Sequence, residues 1–481
     1  MSPLDLLVAA PLVMMILSLL APSLQRWLLW LAIAVMAWLA SWMLALPEGT
    51  GHVVGGWELP LGILLRADGM ARLLVPAAAI AASFIGLYAL RDFAPEKRHR
   101  DPHAAAFWPL FYLMWSAFNA ALLTTDLFNL YITLEMATLA AVALAAMGSL
   151  AAALRYFLVA ILGSIFYLLG VALTYSRYAT IDATVLATVA TPDFATIVAI
   201  ALMTGGLLAK VALFPVHGWL RPAHAAAPAP ASALLSGLAV KIGFVIIVRI
   251  WFEAMAAATT SAGFHLLGGF GALAILFGSF KAIRQRELKP LVAYSTVAQV
   301  GYLFLAFPLI DGAVNPDRAW AGMSIHAAAH LISKASMFLA AGLMVKAAKN
   351  TAISALSGVA RTMPLTLVAF GLSAVSLMGL PPSGGFTAKF LLVESALRQG
   401  AFFYAAVMLV GGLLAAVYLF RPLTAAMATG NAPAAPRDAG WPAATALGLA
   451  LTAIAMGFAG TALVDCAGDA PTPLVTESAP K

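Results

Sequence analysis

Charged residues are scarce in this sequence of 481 residues, in which Asp, Glu, Lys and Arg together make up only 10%. Soluble proteins carry roughly a quarter charged residues, so this composition excludes an ordinary soluble domain. Hydrophobic residues reach 63% of the chain, and the mean hydropathy is +0.96. The sequence therefore predicts an all-α polytopic membrane protein that is surrounded by the lipid bilayer.

Cysteine is almost absent. The single Cys466 excludes an internal disulfide framework and a cysteine-ligated iron–sulfur cluster held by this chain alone. The segment Gly268-Gly-Phe-Gly271 lies in an apolar span and lacks the preceding strand that a dinucleotide-binding loop requires. We therefore expect no cofactor and no redox or hydrolytic chemistry in this chain, which leaves open whether it belongs to a larger enzyme.

The formal net charge of +7 invites a nucleic-acid interpretation. The basic residues are scattered over loops and do not form a patch, so we expect no nucleic-acid partner. Lys and Arg are more than twice as frequent in the loops that follow odd-numbered spans as on the other side. The positive-inside rule places these loops in the cytoplasm and both termini on the outer side.

About 20 apolar residues are needed to cross the hydrocarbon. The chain contains about fourteen such stretches, with centres near residues 12, 36, 80, 115, 138, 165, 206, 240, 272, 300, 333, 373, 410 and 453. The first one carries Asp5 and no early Lys or Arg, which indicates a retained span and not a cleaved signal peptide. Residues 47–69 predict a short hairpin at the membrane surface, and residues 91–103 form the most charged segment. Residues 425–442 predict a flexible linker, and the tail from Asp465 is polar.

Two of the predicted spans combine a buried lysine with a helix break. Span 7 contains Lys210 followed by Pro215, and span 12 contains Pro381 and Pro382 followed by Lys389. A proline cannot donate a backbone hydrogen bond, and the carbonyl it frees is tolerated at membrane depth only inside protein or beside a wet cavity. A lysine in hydrocarbon is costly and marks a functional site by default. Charge and break together predict an ion pathway.

The two broken helices are spans 7 and 12, which lie an odd number of five positions apart in the order of spans. A second copy of the first arrangement would therefore be inverted. This layout predicts two inverted five-helix repeats with discontinuous helices 7 and 12. The expected division of the chain is an N-terminal three-helix segment at 1–104, a first repeat of spans 4–8 at 105–260, a second repeat of spans 9–13 at 261–424, and a linker, last span and polar tail at 425–481.

Other ionisable residues also fall within spans. Glu135 lies nine residues into span 5, Lys241 lies near the middle of span 8, and His326, His330 and Lys334 recur every four residues in span 11, which places them on one helical face. Snorkelling to the interface suits lysines near helix ends and not four of them near mid-depth. A single structural ion pair between Glu135 and a lysine is an alternative, but it leaves the other lysines and both breaks unexplained.

The His326 and His330 pair could also be interpreted as two metal ligands. Zinc requires three or four protein ligands, and the sequence places no third one nearby, so we predict no metal site. An imidazole titrates near neutral pH and can pass a proton between its two nitrogens. We therefore predict that both histidines act as a proton relay.

These residues stand in motifs that resemble a known family, the antiporter-like subunits of the complex I superfamily. The matching segments are Asp126-Leu-Phe-Asn-Leu-Tyr to Glu135, Leu154-Arg-Tyr-Phe-Leu to Ser164, Lys210 to Phe-Pro-Val-His-Gly-Trp-Leu220, His224-Ala-Ala-Ala-Pro228 to Lys241, Lys289-Pro-Leu-Val-Ala-Tyr-Ser-Thr to Tyr302, His326 to Lys334, and Gly379-Leu-Pro-Pro to Lys389. They occur in the family's order between residues 107 and 395.

The resemblance implies that Glu135, Lys210, Lys241 and Lys389 form a proton path. A glutamate at 135 together with a lysine at 389 is most similar to the D-type chain of Mrp multisubunit sodium/proton antiporters or to the corresponding hydrogenase chain. It further implies a bacterial inner (plasma) membrane, other membrane subunits as partners, and protons as cargo, with sodium left open. Two other classes remain alternatives: a pumping subunit of NADH–quinone oxidoreductase or of an energy-converting hydrogenase, and a structural scaffold.

Overall fold

The computed structural model describes residues 2–57, 59, 62–94, 102–430 and 440–471. Its regular structure is nearly all helical because apolar residues in long runs leave the backbone only intrahelical partners away from water. The first elements, in chain order, are α1 (Pro3–Leu20), α2 (Gln25–Ala45), β1 (Thr50–Val54), β2 (Ile63–Ala67), α3 (Gly69–Asp92), α4 (Pro102–Leu123), α5 (Leu127–Ala146), α6 (Leu150–Tyr178) and α7 (Ala183–Val189).

The next group of elements contains the first helix break. The elements that follow are α8 (Phe194–Val211), α9 (Leu220–Ala226), α10 (Ala229–Leu234), a π-helical turn (Leu235–Ala239), α11 (Val240–Arg249), a second π-helical turn (Ile250–Ala254), α12 (Ser261–Ile283), α13 (Leu288–Leu305) and α14 (Phe307–Ile310). The two π turns are continuous with α10 and α11, so that Ala229–Ala254 forms a single apolar run.

The remaining elements contain the second break. They are α15 (Asp317–Ala348), α16 (Val359–Thr362), α17 (Pro364–Met378), α18 (Gly384–Arg398), α19 (Phe402–Met427), α20 (Gly440–Phe458) and α21 (Gly460–Ala467), with short 3-10 turns at Pro22–Leu24, Ala256–Ala258 and Ile353–Leu356.

The prediction of a polytopic helical protein with about fourteen spans is confirmed. Within the described residues, thirteen helical runs are long and apolar enough to cross a membrane. The other predicted span consists of α17 and α18, of 15 residues each, on either side of the second break. The first break separates α8 from α9. The chain is therefore a polytopic membrane protein in which the seventh span (α8–α9) and the twelfth span (α17–α18) are discontinuous.

The hairpin predicted within residues 47–69 is present. Strands β1 and β2 pair antiparallel, with Thr50 opposite Ala67 and Val54 opposite Ile63. An isolated bridge between Leu65 and Thr124 attaches the hairpin to the end of α4. The hairpin therefore lies beside the end of α4.

Burial is uneven among the spans. In the apolar runs Ala229–Ala254 and Leu288–Ile310, 94% of the most apolar 18 residues are buried inside the protein, against 28% for Pro3–Leu20 and 39% for Phe402–Met427. The first two runs are therefore central, and their charged side chains cannot reach lipid headgroups by extending along the protein surface. Most of the ionisable residues singled out above lie on these central helices and their neighbours.

Glycines allow two pairs of helices to touch backbone to backbone. A Cβ atom at Gly206 of α8 would lie 2.2 Å from the carbonyl oxygen of Gly163 in α6. A Cβ atom at Gly301 of α13 would likewise lie 2.4 Å from the carbonyl oxygen of Gly271 in α12. Small residues at such crossings are how membrane helices approach closely, and the first crossing brings α6 and α8 together beside Lys210.

Some sequence predictions fall on residues outside the described ranges. These are most of the charged segment at 91–103, the middle of the linker at 425–442, and the tail beyond residue 471.

Candidate functional site

The first helix break is built around Lys210. Helix α8 ends one residue later, and Ala212 takes the left-handed conformation with φ 57°. The indole nitrogen of Trp219 donates to the carbonyl of Ala209 over 2.7 Å, so a carbonyl that the broken helix leaves free has a side-chain partner. The helix therefore stops before Pro215, and the lysine occupies its last turn.

Lys210 forms an ion pair inside the protein. Its Nζ lies 2.8 Å from Oε1 of Glu135 and 2.8 Å from Oγ1 of Thr138, both on α5. The side chain of Lys210 is 5% exposed and that of Glu135 is 26% exposed. Ser164 of α6 also donates to Oε1 of Glu135. The lysine that pairs with Glu135 is therefore Lys210, and one carboxylate oxygen receives two donors.

Lys241 lies on the central run, two residues after the first π-helical turn. It is fully buried, and its Nζ donates to the carbonyl oxygen of Ser236 over 2.5 Å. The hydroxyl of Ser236 in turn shares a hydrogen bond of 3.0 Å with the hydroxyl of Thr296 on α13. Lys241 therefore reaches α13 through a single serine.

The three residues spaced by four in span 11 do lie along one side of α15. The rings of His326 and His330 are parallel, with centroids 5.9 Å apart. A ring nitrogen of His326, Nε2, lies 3.0 Å from the carbonyl oxygen of Gln299. Lys334 donates to the carbonyl of Val292 over 2.9 Å and also to the hydroxyl of Ser295. All of these partners belong to α13.

Lys389 lies on α18, beyond the second break, but its ammonium reaches back across it. Its Nζ donates to the carbonyl oxygen of Leu377, in the last turn of α17, over 2.6 Å. It also lies 4.1 Å from the centre of the Tyr302 ring. A cation beside the carbonyls at a helix C-terminus is electrostatically favourable, and Pro381 and Pro382 lie in the turn that exposes them.

Helix α13 contacts Lys241, His326, Lys334 and Lys389, directly or through one residue. The sequence analysis did not predict this role. The amide of Gln299 donates to the carbonyl of Leu377 over 2.9 Å, the same oxygen that binds Lys389. The residues of this helix that contact the buried lysines and His326, directly or through one residue, are Val292, Ser295, Thr296, Gln299 and Tyr302. The sequence offers only a weak signal for this role, a set of hydroxyl and amide side chains within an apolar span.

The structure corrects one count made from the sequence. The count of Lys and Arg on the side of the even-numbered loops includes Arg249, but this residue lies within the helical run Ala229–Ala254 and is buried. Its guanidinium lies 2.8 Å from Oδ2 of Asp68 and 3.2 Å from Oε2 of Glu253, and Arg66 of β2 also contacts Glu253. Two carboxylates thus compensate the buried charge of Arg249, and Arg66 shares one of them.

Several nitrogens on this axis have no protein partner within the described part of the chain. They are both ring nitrogens of His224 and His330 and Nδ1 of His326. Buried polar atoms of this kind are normally satisfied by ordered water. Groups of three or more His, Cys, Asp or Glu that could hold a metal ion do not occur among the described residues.

Taken together, the fold and the site define a class: helical membrane proteins with two broken spans and several buried lysines. A sequence model described as "NADH:quinone oxidoreductase/Mrp antiporter, TM" matches residues 124–415. The chain belongs to this family. The match covers every ionisable residue predicted here for the axis.

Individual relatives agree with this assignment. The N-type chain of the NADH-quinone oxidoreductase of Desulforudis audaxviator is 38% identical over 402 residues, which cover 81% of this chain and 78% of the relative. The D-type chain of the Na(+)/H(+) antiporter of Alkalihalophilus pseudofirmus is 31% identical over 75% of this chain and 72% of the relative. A chain in the structure of the Mrp complex from Dietzia sp. superposes with a TM-score of 0.86 at 26% identity, covering 99% of this chain and 97% of that one.

Proposed function

We propose that this chain is the proton-translocating membrane subunit of a multisubunit monovalent cation/proton antiporter. The observation that carries the proposal is the buried ion pair of Lys210 and Glu135 at a helix break, followed by the buried Lys241, Lys334 and Lys389. The similarity to the D-type chain of an Na(+)/H(+) antiporter over three quarters of this chain supports it. The partners would be other membrane subunits, and protons would be the cargo of this chain.

In this proposal the ion pair acts as a switch. A low-dielectric site disfavours an ammonium, whereas a neighbouring carboxylate favours it. While Glu135 is ionised and in contact, Lys210 holds its proton. When Glu135 is neutralised or turns away, Lys210 releases the proton toward Lys241. The carboxylate is the more exposed partner, so it is the one that a neighbouring subunit could influence.

The proton would then follow α15 to the second break. His326, His330 and Lys334 carry it to Lys389, and it leaves near the turn that contains Pro382. The direct contacts join these residues to α13 and not to one another, so ordered water has to bridge the steps. The driving force comes from the partner subunits.

We also propose the arrangement of the chain in the membrane. The broken helices α8–α9 and α17–α18 would belong to two inverted repeats at 105–260 and 261–424, between an N-terminal segment at 1–104 and a terminal segment at 425–481. The excess of Lys and Arg in the loops after odd-numbered spans supports cytoplasmic loops and outward termini. The membrane would be a bacterial inner membrane.

A second function is favoured by a specific observation, the 38% identity to the N-type chain of an NADH-quinone oxidoreductase. In such an assembly this chain would pump protons while other subunits carry out the redox chemistry. Purification of the native assembly distinguishes the two functions. Small membrane subunits alone indicate an antiporter, whereas co-purifying iron–sulfur proteins indicate a redox complex.

The test of the proton pathway is flux through the whole assembly in proteoliposomes. Lys210→Ala and Glu135→Ala are each expected to abolish proton flux without loss of assembly. Lys346→Ala is the control, because Lys346 is an exposed lysine that also forms an ion pair, with Asp92 at 3.0 Å. Wild-type flux in both test variants would refute the scheme.

A further inference from the structure

Lys289 and His224 form a second pair of buried basic residues, at the start of α13 and in α9. Lys289 is 8% exposed and His224 is fully buried. Neither has a place in the pathway described above, in which the proton begins at Lys210. Both lie at the same end of the molecule, since Lys289 donates to the carbonyls of Ala225 and Ala227 on either side of the end of α9.

This end of α13 reaches the protein surface. Arg286 and Glu287, immediately before the helix, are exposed. The backbone here pairs with the loop after α15, through a bond of 2.9 Å from the amide of Leu288 to the carbonyl of Thr351. Both loops follow odd-numbered spans. Lys289 is therefore the first buried ionisable group that a proton meets on entering α13 from that side.

His224 lies beside a contact of Lys289, because the next residue, Ala225, supplies a carbonyl oxygen that accepts from Lys289. Its ring stacks on Phe338 with centroids 4.6 Å apart, and neither ring nitrogen has a protein partner among the described residues. Phe338 lies one helical turn after Lys334 on α15, so the ring of His224 packs one turn away from Lys334. A buried imidazole with two unsatisfied nitrogens and apolar packing on one face is suited to hold water on the other.

Helix α13 continues the connection inward. One turn after Lys289, the carbonyl of Val292 accepts from Lys334, as does the hydroxyl of Ser295. Positions 289 and 292 are three residues apart and so share a face of the helix. The ammonium of Lys334 therefore bonds to α13 one turn from Lys289, and the ring of His224 packs on Phe338, one turn from Lys334.

We infer that Lys289 and His224 form a proton inlet, separate from the Lys210–Glu135 switch, that delivers protons from the side of the odd-numbered loops to Lys334. Lys289 takes a proton from solvent, His224 relays it through bound water, and Lys334 receives it. The inlet rests on the proposed proton-conducting function. It refills Lys334 after a proton has moved toward Lys389, while the Lys210–Glu135 switch still controls that movement.

The competing role for Lys289 is structural, because a cation beside the last carbonyls of α9 stabilises that helix end. Two substitutions separate the roles. Lys289→Arg keeps the charge and the donors but cannot release a proton at accessible pH. Lys289→His keeps a titratable group and loses the constant charge. A proton inlet requires more flux from the His variant than from the Arg variant, whereas a structural cation requires the reverse.

The experiment measures proton flux of the whole assembly in proteoliposomes. Lys289→Arg should lower flux at least about a hundredfold, the lower end of what a positioned acid–base group contributes, and Lys289→His should recover most of it. Lys346→Arg, at an exposed lysine near the end of α15, should keep wild-type flux. Wild-type flux in Lys289→Arg, or less flux in Lys289→His than in Lys289→Arg, would overturn the inlet.

His224→Phe provides the deciding measurement if both Lys289 variants fail to assemble. Phenylalanine keeps the ring stacked on Phe338 and removes two unsatisfied nitrogens, so the variant should assemble. Low flux in an assembled His224→Phe complex supports the inlet, and wild-type flux refutes it. Lys210→Ala is measured alongside. Loss of flux there with wild-type flux in His224→Phe refutes the inlet alone, whereas wild-type flux in Lys210→Ala refutes the proposed function itself.

Discussion

Breaking the ion pair at the first helix break should cost most of the proton flux, and its two members should behave as one unit. The changes are Glu135→Gln, Lys210→Met and the double variant. In the single Gln variant, Lys210 keeps its bond to Thr138 but loses the negative charge beside it. In the single Met variant, Glu135 keeps its bond from Ser164. Each single change therefore leaves a partly buried charge without its counter-ion.

The magnitude follows from the contact distance. For unit charges 2.8 Å apart, an effective dielectric constant of about 20 gives a gross attraction of about 6 kcal/mol. Removing one partner of a buried pair costs about 3–5 kcal/mol in measured cases. Because 26% of the Glu135 side chain is exposed, we expect the lower end. About 3 kcal/mol corresponds to about a hundredfold in an equilibrium constant.

The assay is proton flux through the whole assembly in proteoliposomes, with Lys346→Met as a control that makes the same substitution in an exposed pair. That pair should be worth about 1 kcal/mol or less, so its flux should stay near wild type. Each single variant should lose flux about a hundredfold, and the double variant should lose no more than either, because residues that act together are strongly non-additive. A double variant whose loss equals the product of the two single losses would refute the switch.

Three other outcomes follow from the packing and the surface charges. Gly206→Ala should destabilise the protein by about 1–3 kcal/mol, because the added Cβ would lie 2.2 Å from a carbonyl oxygen of α6. Gly205→Ala is the control, because its Cβ would have no atom within 4 Å, and its melting temperature should be no lower than that of the wild type. Arg249→Met should lower the melting temperature of the purified chain far more than Arg398→Met, because Arg249 is buried with Asp68 and Glu253 while Arg398 is exposed; equal shifts would contradict the buried cluster. Hydrogen bonds from Thr196 and Arg177 lower the pKa of Asp193, in the loop before α8, to about 2. That pKa lies below the ordinary value of about 3.9, so the stability that ionised Asp193 contributes is present above about pH 4 and is lost as pH falls toward about 2. Melting curves of Asp193→Asn should therefore lack this part of the acid dependence.

Local signals in the sequence were enough for the spans and the breaks. A run of about 20 apolar residues, a proline and a buried lysine each act within a few positions, so Lys210, Pro215 and Lys389 could be placed without tertiary information. The residues alone predict an ion pair between Glu135 and one of the buried lysines, and only the family resemblance pointed to Lys210 as the partner.

Long-range contacts could not be predicted in this way. Arg249 meets Asp68 across 181 positions in sequence, and its burial depends on a hairpin that hydropathy does not register. The connecting role of α13 was missed for another reason. Serine, threonine and glutamine are uncharged and do not interrupt an apolar run, so Thr296 and Gln299 become visible only when the helix is seen to lie between the buried lysines.

The use of one helix for so many contacts restricts how this protein can change in evolution. Each residue of an α-helix is turned by about 100° from the one before it, so inserting or deleting one residue near Pro290 would rotate Ser295, Thr296 and Gln299 away from their present partners together. Substitutions on α13 can be compensated one at a time, but a change in its length cannot. Relatives that conduct protons by this axis should therefore vary in the length of their loops and termini and keep the spacing within this helix constant.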